Sequence, residues 1–190
     1  MKSIKQIAAA VSLAAVSLAA NASVITSTNV PVAICDQCAV TSTLNVDTHL
    51  TVSDVNVLAT SLTHTFDGDL ILSILHNGIT VVLSNRRGSD GENFIGTTFD
   101  DAAAVAISAG VAPFTGSYRP EGLLSAFNGQ DAFGLWTFQV SDNARLDAGS
   151  INQWGIDVSG NSQDVPEPAS VALLCLGFAG LAAARRSNAR

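Results

Sequence analysis

The chain has 190 residues, 47% of them hydrophobic, a mean hydropathy of +0.34 and a net charge of −7. The apolar excess sits at the two ends; from Ser23 to Pro168 four arginines and no lysine face all sixteen acids, a net charge of −12. Nucleic acid and anionic lipid repel such a body, and about 140 residues make one domain with a real core and not two.

At the N-terminus Lys2 and Lys5 form a basic start, Ile7 to Ala20 an apolar stretch, and Ala20-Asn21-Ala22 a small-x-small cleavage sequence. Residues 1–22 are therefore read as a secretory signal peptide cleaved between Ala22 and Ser23. The stretch is too short and Ala-rich for a permanent anchor. Residues 23–40 form an N-terminal segment that contains Cys35-Asp36-Gln37-Cys38. After export to an oxidising compartment Cys35 and Cys38 suit a local disulfide. Free thiols are the alternative. A redox pair belongs at a helix start after a strand, and a zinc site needs four ligands, neither of which the surrounding residues offer.

From 41 to 160 strand signals dominate, and the expectation is an all-β domain. Leu44–Val46 and Leu50–Leu62 alternate apolar with Ser, Thr and Asn. Leu70–Leu75 is apolar apart from Ser73, as a central strand covered on both faces requires. Asn77-Gly78 separates it from Thr80–Leu83, which predicts a β-hairpin over 69–84 with a type I′ turn and His76 solvated at its tip. Arg86–Gly96 reads as a loop, Thr97–Ile107 as strand or short helix, and Pro113–Gly122 as a turn-rich connection. Leu123–Phe127 reads as a short element. Gly134–Val140 places Trp136, Phe138 and Val140 on one face, and Ile151–Val158 does the same for Trp154, Ile156 and Val158. Both tryptophans are expected to pack the core rather than stack on a ligand. Short strands separated by turns every eight to twelve residues point to a sandwich or jelly roll.

Residues 161–164 form a polar linker. The tail, 165–190, holds Pro166-Glu167-Pro168, an apolar run from Ala169 to Ala184, and Arg185, Arg186 and Arg190. As a transmembrane helix, 169–184 spans about 24 Å, short of the roughly 30 Å hydrocarbon core, with its basic end in the cytoplasm. In that order the motif, run and basic end resemble the PEP-CTERM sorting signal. The resemblance implies temporary anchoring in the inner membrane, processing by an exosortase, and delivery to the cell surface or an exopolysaccharide matrix.

A second resemblance covers about Thr41 to Val158. It is carried by Thr63-His64-Thr65-Phe66-Asp67-Gly68-Asp69-Leu70, Asn93 to Asp101, Phe114-Thr115-Gly116-Ser117-Tyr118-Arg119-Pro120-Glu121 and Leu124–Gly129. Gly134-x-Trp136-Thr137, Asp142-Asn143 and Gly149-x-Ile151-Asn152-x-Trp154 complete it. In this order these residues are similar to the P domain (P/Homo B) that follows the catalytic domain of subtilisin-like proprotein convertases. The resemblance implies a jelly-roll β-sandwich, galactose-binding-like, with a non-catalytic role beside a protease. The chain departs from the family by lacking a subtilisin-like catalytic domain in its 190 residues, and by Asn77-Gly78 where a Pro-containing turn is common.

No catalytic residue is assigned. His49, His64 and His76 are the histidines of the chain, and no serine lies in a Gly-x-Ser-x-Gly or Ser-x-x-Lys setting. His64 is expected to order the acidic turn that it enters. The acid clusters Asp67/Asp69, Asp100/Asp101 and Asp142/Asp147 suit turns; a glycosidase reading needs a fixed separation that turn residues do not define. Hard oxygens in Gly-rich loops also suit calcium. Because some bacterial P domains resemble this one in binding structural Ca2+, Asp69, Asp101 and Asp142 are the implied ligands.

The expectation is an exported, non-enzymatic P-domain protein acting as a structural or adhesion module. One alternative is an accessory partner of a secreted serine protease, linked to proteolysis. Another is a carbohydrate-binding module, for which the mature chain offers few exposed aromatics.

Overall fold

The alternation of apolar and polar side chains becomes ten strands in two sheets in the computed structural model, which describes residues 20–162. One sheet contains β1 (Ala20–Thr26), β2 (Val32–Ile34), β4 (Leu50–His64), β7 (Phe94–Phe99), β8 (Phe114–Tyr118) and β10 (Gly149–Ser162). Its order is β1-β10-β4-β7-β8, with β2 also on β10. The other contains β3 (Ala39–Val46), β5 (Leu70–His76), β6 (Ile79–Asn85) and β9 (Gly134–Asp142), in the order β3-β9-β5-β6. All pairs are antiparallel except β7 with β8.

The sheets pack as a sandwich on their inward residues. Val52, Val55, Val57, Ala59 and Leu62 of β4 and Ile156 and Val158 of β10 meet Leu70, Leu72 and Ile74 of β5 and Val140 of β9, all buried. Trp136, Phe138 and Trp154 are buried as their alternation predicts, and Phe138 stacks on Trp154 between the sheets at 5.2 Å. The Trp154 indole N–H donates to Ser42 Oγ at 2.6 Å, so its one polar atom is satisfied inside the core. Ile151 and Trp154 both face inward although three residues apart, because the β10–β4 register shifts between Ile151 and Gln153.

The β5–β6 hairpin turns at Asn77-Gly78, with φ of 46° and 78°, the two positive angles that a type I′ turn needs. His76 departs from expectation. It is buried, not solvated, with its ring stacked on Trp136 at 4.0 Å. Its Nδ1 lies 2.9 Å from Leu135 O and its Nε2 2.8 Å from Asp131 O, and a neutral ring donates to only one of the two. The tip of a hairpin is solvated only where nothing covers it, and here residues 131–136 do.

Residues 101–102 are turn and 104–105 bend, Ala106 bridges to Arg119 in parallel, and Ile107–Ala109 is a 3-10 turn. Pro113–Gly122, expected as a connection, contains the parallel strand β8. Phe114 stacks on Phe94 at 4.7 Å, and Thr97 Oγ donates to Phe114 O at 2.6 Å. Gly116, at φ +98°, interrupts the alternation that would have marked the strand. Leu124–Phe127 is a 3-10 turn.

The segment before residue 41 belongs to the same sheets, since β1 and β2 both pair with β10. The junction between Ala22 and Ser23 lies inside β1, opposite Ser159 and Val158. β10 continues to Ser162, so strand reaches into the expected 161–164 linker. Pro166, Glu167, Pro168 and the apolar runs of the two ends lie outside the described residues, apart from Ala20. No helix among the described residues is long and apolar enough to cross a membrane.

Candidate functional site

β4 starts at Leu50 opposite Ser162 and ends at His64 opposite Gly149, so the His64 end of the sandwich is the one remote from Ala20 and Ser162. Three chain segments converge there: the turn after β4 with the 3-10 turn Asp67–Asp69, the end of β9 at Asp142, and the loop 143–148. The disulfide loop Cys35–Cys38 joins them.

His64 and Asp142 are buried completely as side chains, with Nε2 and Oδ2 3.5 Å apart and neither atom otherwise bonded. The other ring nitrogen sits 2.9 Å from Phe66 O and 3.2 Å from Phe66 N. The absence of a side chain at Gly149 leaves room for the ring where β10 approaches β4 closely: a Cβ there would overlap Thr63 O and lie 2.7 Å from His64 Cδ2. Asp142 Oδ1 accepts from Ala144 N at 3.0 Å, and the Asp142 amide donates to Cys38 O at 2.8 Å.

Asp69 is flanked by like charge. Burial raises its pKa, the Asp147 and Asp142 carboxylates raise it further, and Arg86, 3.8 Å away, opposes them. Asp147 is also bonded by Thr65 Oγ at 2.9 Å. Asp67 is buried beside this group, with Oδ1 accepting from Asn93 N at 3.0 Å and Oδ2 bonded to nothing. Burial pushes its pKa up to about 7, against the pull of the Asn93 amide.

The disulfide between Cys35 and Cys38 closes a short loop with Cα atoms 5.6 Å apart. This loop holds the 143–148 loop: Asp36 Oδ1 accepts from Leu146 N at 3.1 Å, and Arg145 Nε donates to Gln37 Oε1 at 2.8 Å. Leu146 is 95% exposed at its apex.

Of the carboxylates assigned to calcium, Asp69 and Asp142 come together. Asp101 does not join them, because its two oxygens cap the Leu124–Phe127 turn, accepting from Leu124 N at 2.9 Å and Ser125 N at 2.8 Å. Among the described residues no group of three His, Cys, Asp or Glu side chains is spaced to share a metal ion. Sequence reasoning grouped Asp67 with Asp69 and Asp147 with Asp142 as turn-forming acids without assigning Asp67 or Asp147 to the site, and it missed the pairing of Asp131 with His49 at 2.6 Å, which no local pattern marks.

His64 contacts the Phe66 backbone and Asp142, His76 two carbonyls, and His49 Asp131 and the Phe133 ring. A cleft of about 590 Å³ lies at the other end of the sandwich, lined by Ala22, Ser23, Asn45, Asp47, Thr48 and Ser162 among others.

The family model of the proprotein convertase P-domain matches residues 52–158, and that of the PEP-CTERM protein-sorting motif matches residues 164–187. Among solved structures the chain is similar to the serine protease of Aeromonas sobria and to the same protease in complex with its chaperone. The TM-score is 0.49 in both cases, with 20% and 21% identity over 76% of this chain and 27% of the other. The chain thus spans about a quarter of the length of those proteins. No curated protein matches it.

Proposed function

The chain belongs to the proprotein convertase P-domain family, and on that premise we propose that it is an exported, non-catalytic module sorted by an exosortase. Its destination is the cell surface or an exopolysaccharide matrix, where the sandwich, of the family's jelly-roll type, acts as a structural or adhesion element. The observation that carries this reading is the order of the two matches. A P domain over 52–158 runs almost directly into a sorting motif over 164–187.

The site supports a structural role. Its buried polar groups tie loops together, from His64 and Asp142 to the Cys35–Cys38 loop and the 143–148 loop.

The test is expression in the native host with and without its exosortase. With it, mass spectrometry finds the tail removed and the body released from the inner membrane; without it, the intact chain stays membrane-bound. Equal processing in both strains overturns the sorting, and peptidase activity of the purified chain overturns the non-catalytic role.

The family description also supports a second reading, an accessory module for a separate secreted serine protease. Recovery of such a protease on the tagged chain favours it; a pull-down free of protease counts against it.

A further inference from the structure

We infer that, while anchored, the sandwich stands with the end bearing Phe133 and Leu135 against the lipid surface and holds its acidic His64 end away. This rests on the transient anchoring read from the sorting motif. Topology supplies the first reason. β1 and β10 are antiparallel neighbours with Ala20 opposite Asn161, so the chain enters and leaves the body side by side. The apolar run begins at Ala169, seven residues past Ser162, a tether of at most about 25 Å. The His64 end lies a further fourteen residues along β4, roughly 45 Å of strand, and so stays away from the bilayer that holds the run.

The exposed side chains agree. Gly134, at the start of β9, pairs with Val46 at the end of β3, so its neighbours Phe133 and Leu135 lie at the end where the chain leaves. They are 43% and 57% exposed. The His49 ring stacks on Phe133 at 4.1 Å, and its Nδ1 lies 2.6 Å from Asp131 Oδ2, which gives that carboxylate oxygen a hydrogen-bond partner. An apolar patch with aromatic character, beside the point where the tether leaves, suits the interfacial layer of a bilayer.

Tryptophan depth measurements test this on the exported chain with its tail intact. Phe133→Trp and Leu146→Trp chains are reconstituted in phosphatidylethanolamine–phosphatidylglycerol vesicles that carry bromine near the headgroup, and flotation establishes anchoring. Trp136 and Trp154 are 0% exposed, and the unsubstituted chain supplies their emission for subtraction. The expected result is that the emission added by Phe133→Trp shifts to the blue and is quenched, while the emission added by Leu146→Trp is unchanged by bromine. Quenching of Leu146→Trp, or none of Phe133→Trp in floated chains, overturns the orientation alone. A chain that does not float removes the anchor, and the orientation with it. Elution as a dimer with Phe133→Trp shielded from lipid assigns the patch to a second copy and also overturns the proposal.

Discussion

His64 and Asp142 face each other at 3.5 Å with no exposed side-chain surface, and they join the last residue of β4 in one sheet to the last residue of β9 in the other. Hydrophobic packing fills the middle of the sandwich, whereas this end is closed by polar groups. Such a closure stabilises only while both partners are present, because a buried polar group left without its partner costs more than the pair contributes.

His64→Ala, which leaves Asp142 Oδ2 buried with nothing polar facing it, is expected to destabilise the protein by about 1–3 kcal/mol. Asp142→Asn, which keeps an oxygen for the Ala144 amide, costs less. In a double-mutant cycle by urea unfolding, the two are expected to couple by about 0.5–3 kcal/mol. Additive losses would show that the residues act separately.

Asp67 makes stability fall as pH rises. Unfolded, its carboxyl ionises near pH 4; folded, burial holds the proton until about pH 7. Between those values the native state binds more proton than the unfolded one, so stability decreases through the window. The full effect is about 4 kcal/mol at most. Asp67→Asn should flatten the slope of unfolding free energy between pH 4 and 7. An unchanged slope would assign it to other groups.

Asp69→Asn removes the repulsion from Asp147 and Asp142 that raises the Asp69 pKa, at the cost of its contact with Arg86. In metal-free buffer at pH 7 the variant is expected to melt at or slightly above the temperature of the unsubstituted chain. Millimolar calcium is expected to leave both midpoints in place by scanning calorimetry. A calcium-dependent rise confined to the unsubstituted chain would place a cation among these carboxylates.

Cleavage between Ala22 and Ser23 leaves the β1 pairs from Ser23↔Val158 to Thr26↔Gly155 intact. A chain starting at Ser23 should therefore melt cooperatively. One starting at Ser27 exposes the edge of β10 and should melt lower and self-associate, by light scattering. Equal midpoints would show that β1 contributes nothing to the body.

Local order carried much of the fold. Alternation identified Trp136, Phe138 and Val140 as one inward face, an unbroken apolar run identified β5, and Asn77-Gly78 identified the hairpin, because each depends on a few neighbouring residues. The motifs from Thr63 to Trp154 and the tail likewise carried the family and the sorting motif. Contacts between distant segments were not legible. Nothing near Asp101 marks it as the cap of Leu124–Phe127, nothing near His76 reveals Trp136 beneath its ring, and nothing joins His64 to Asp142 until two sheets bring them face to face. Periodicity records which face of a strand is buried; which partner waits there is settled by packing over the whole chain.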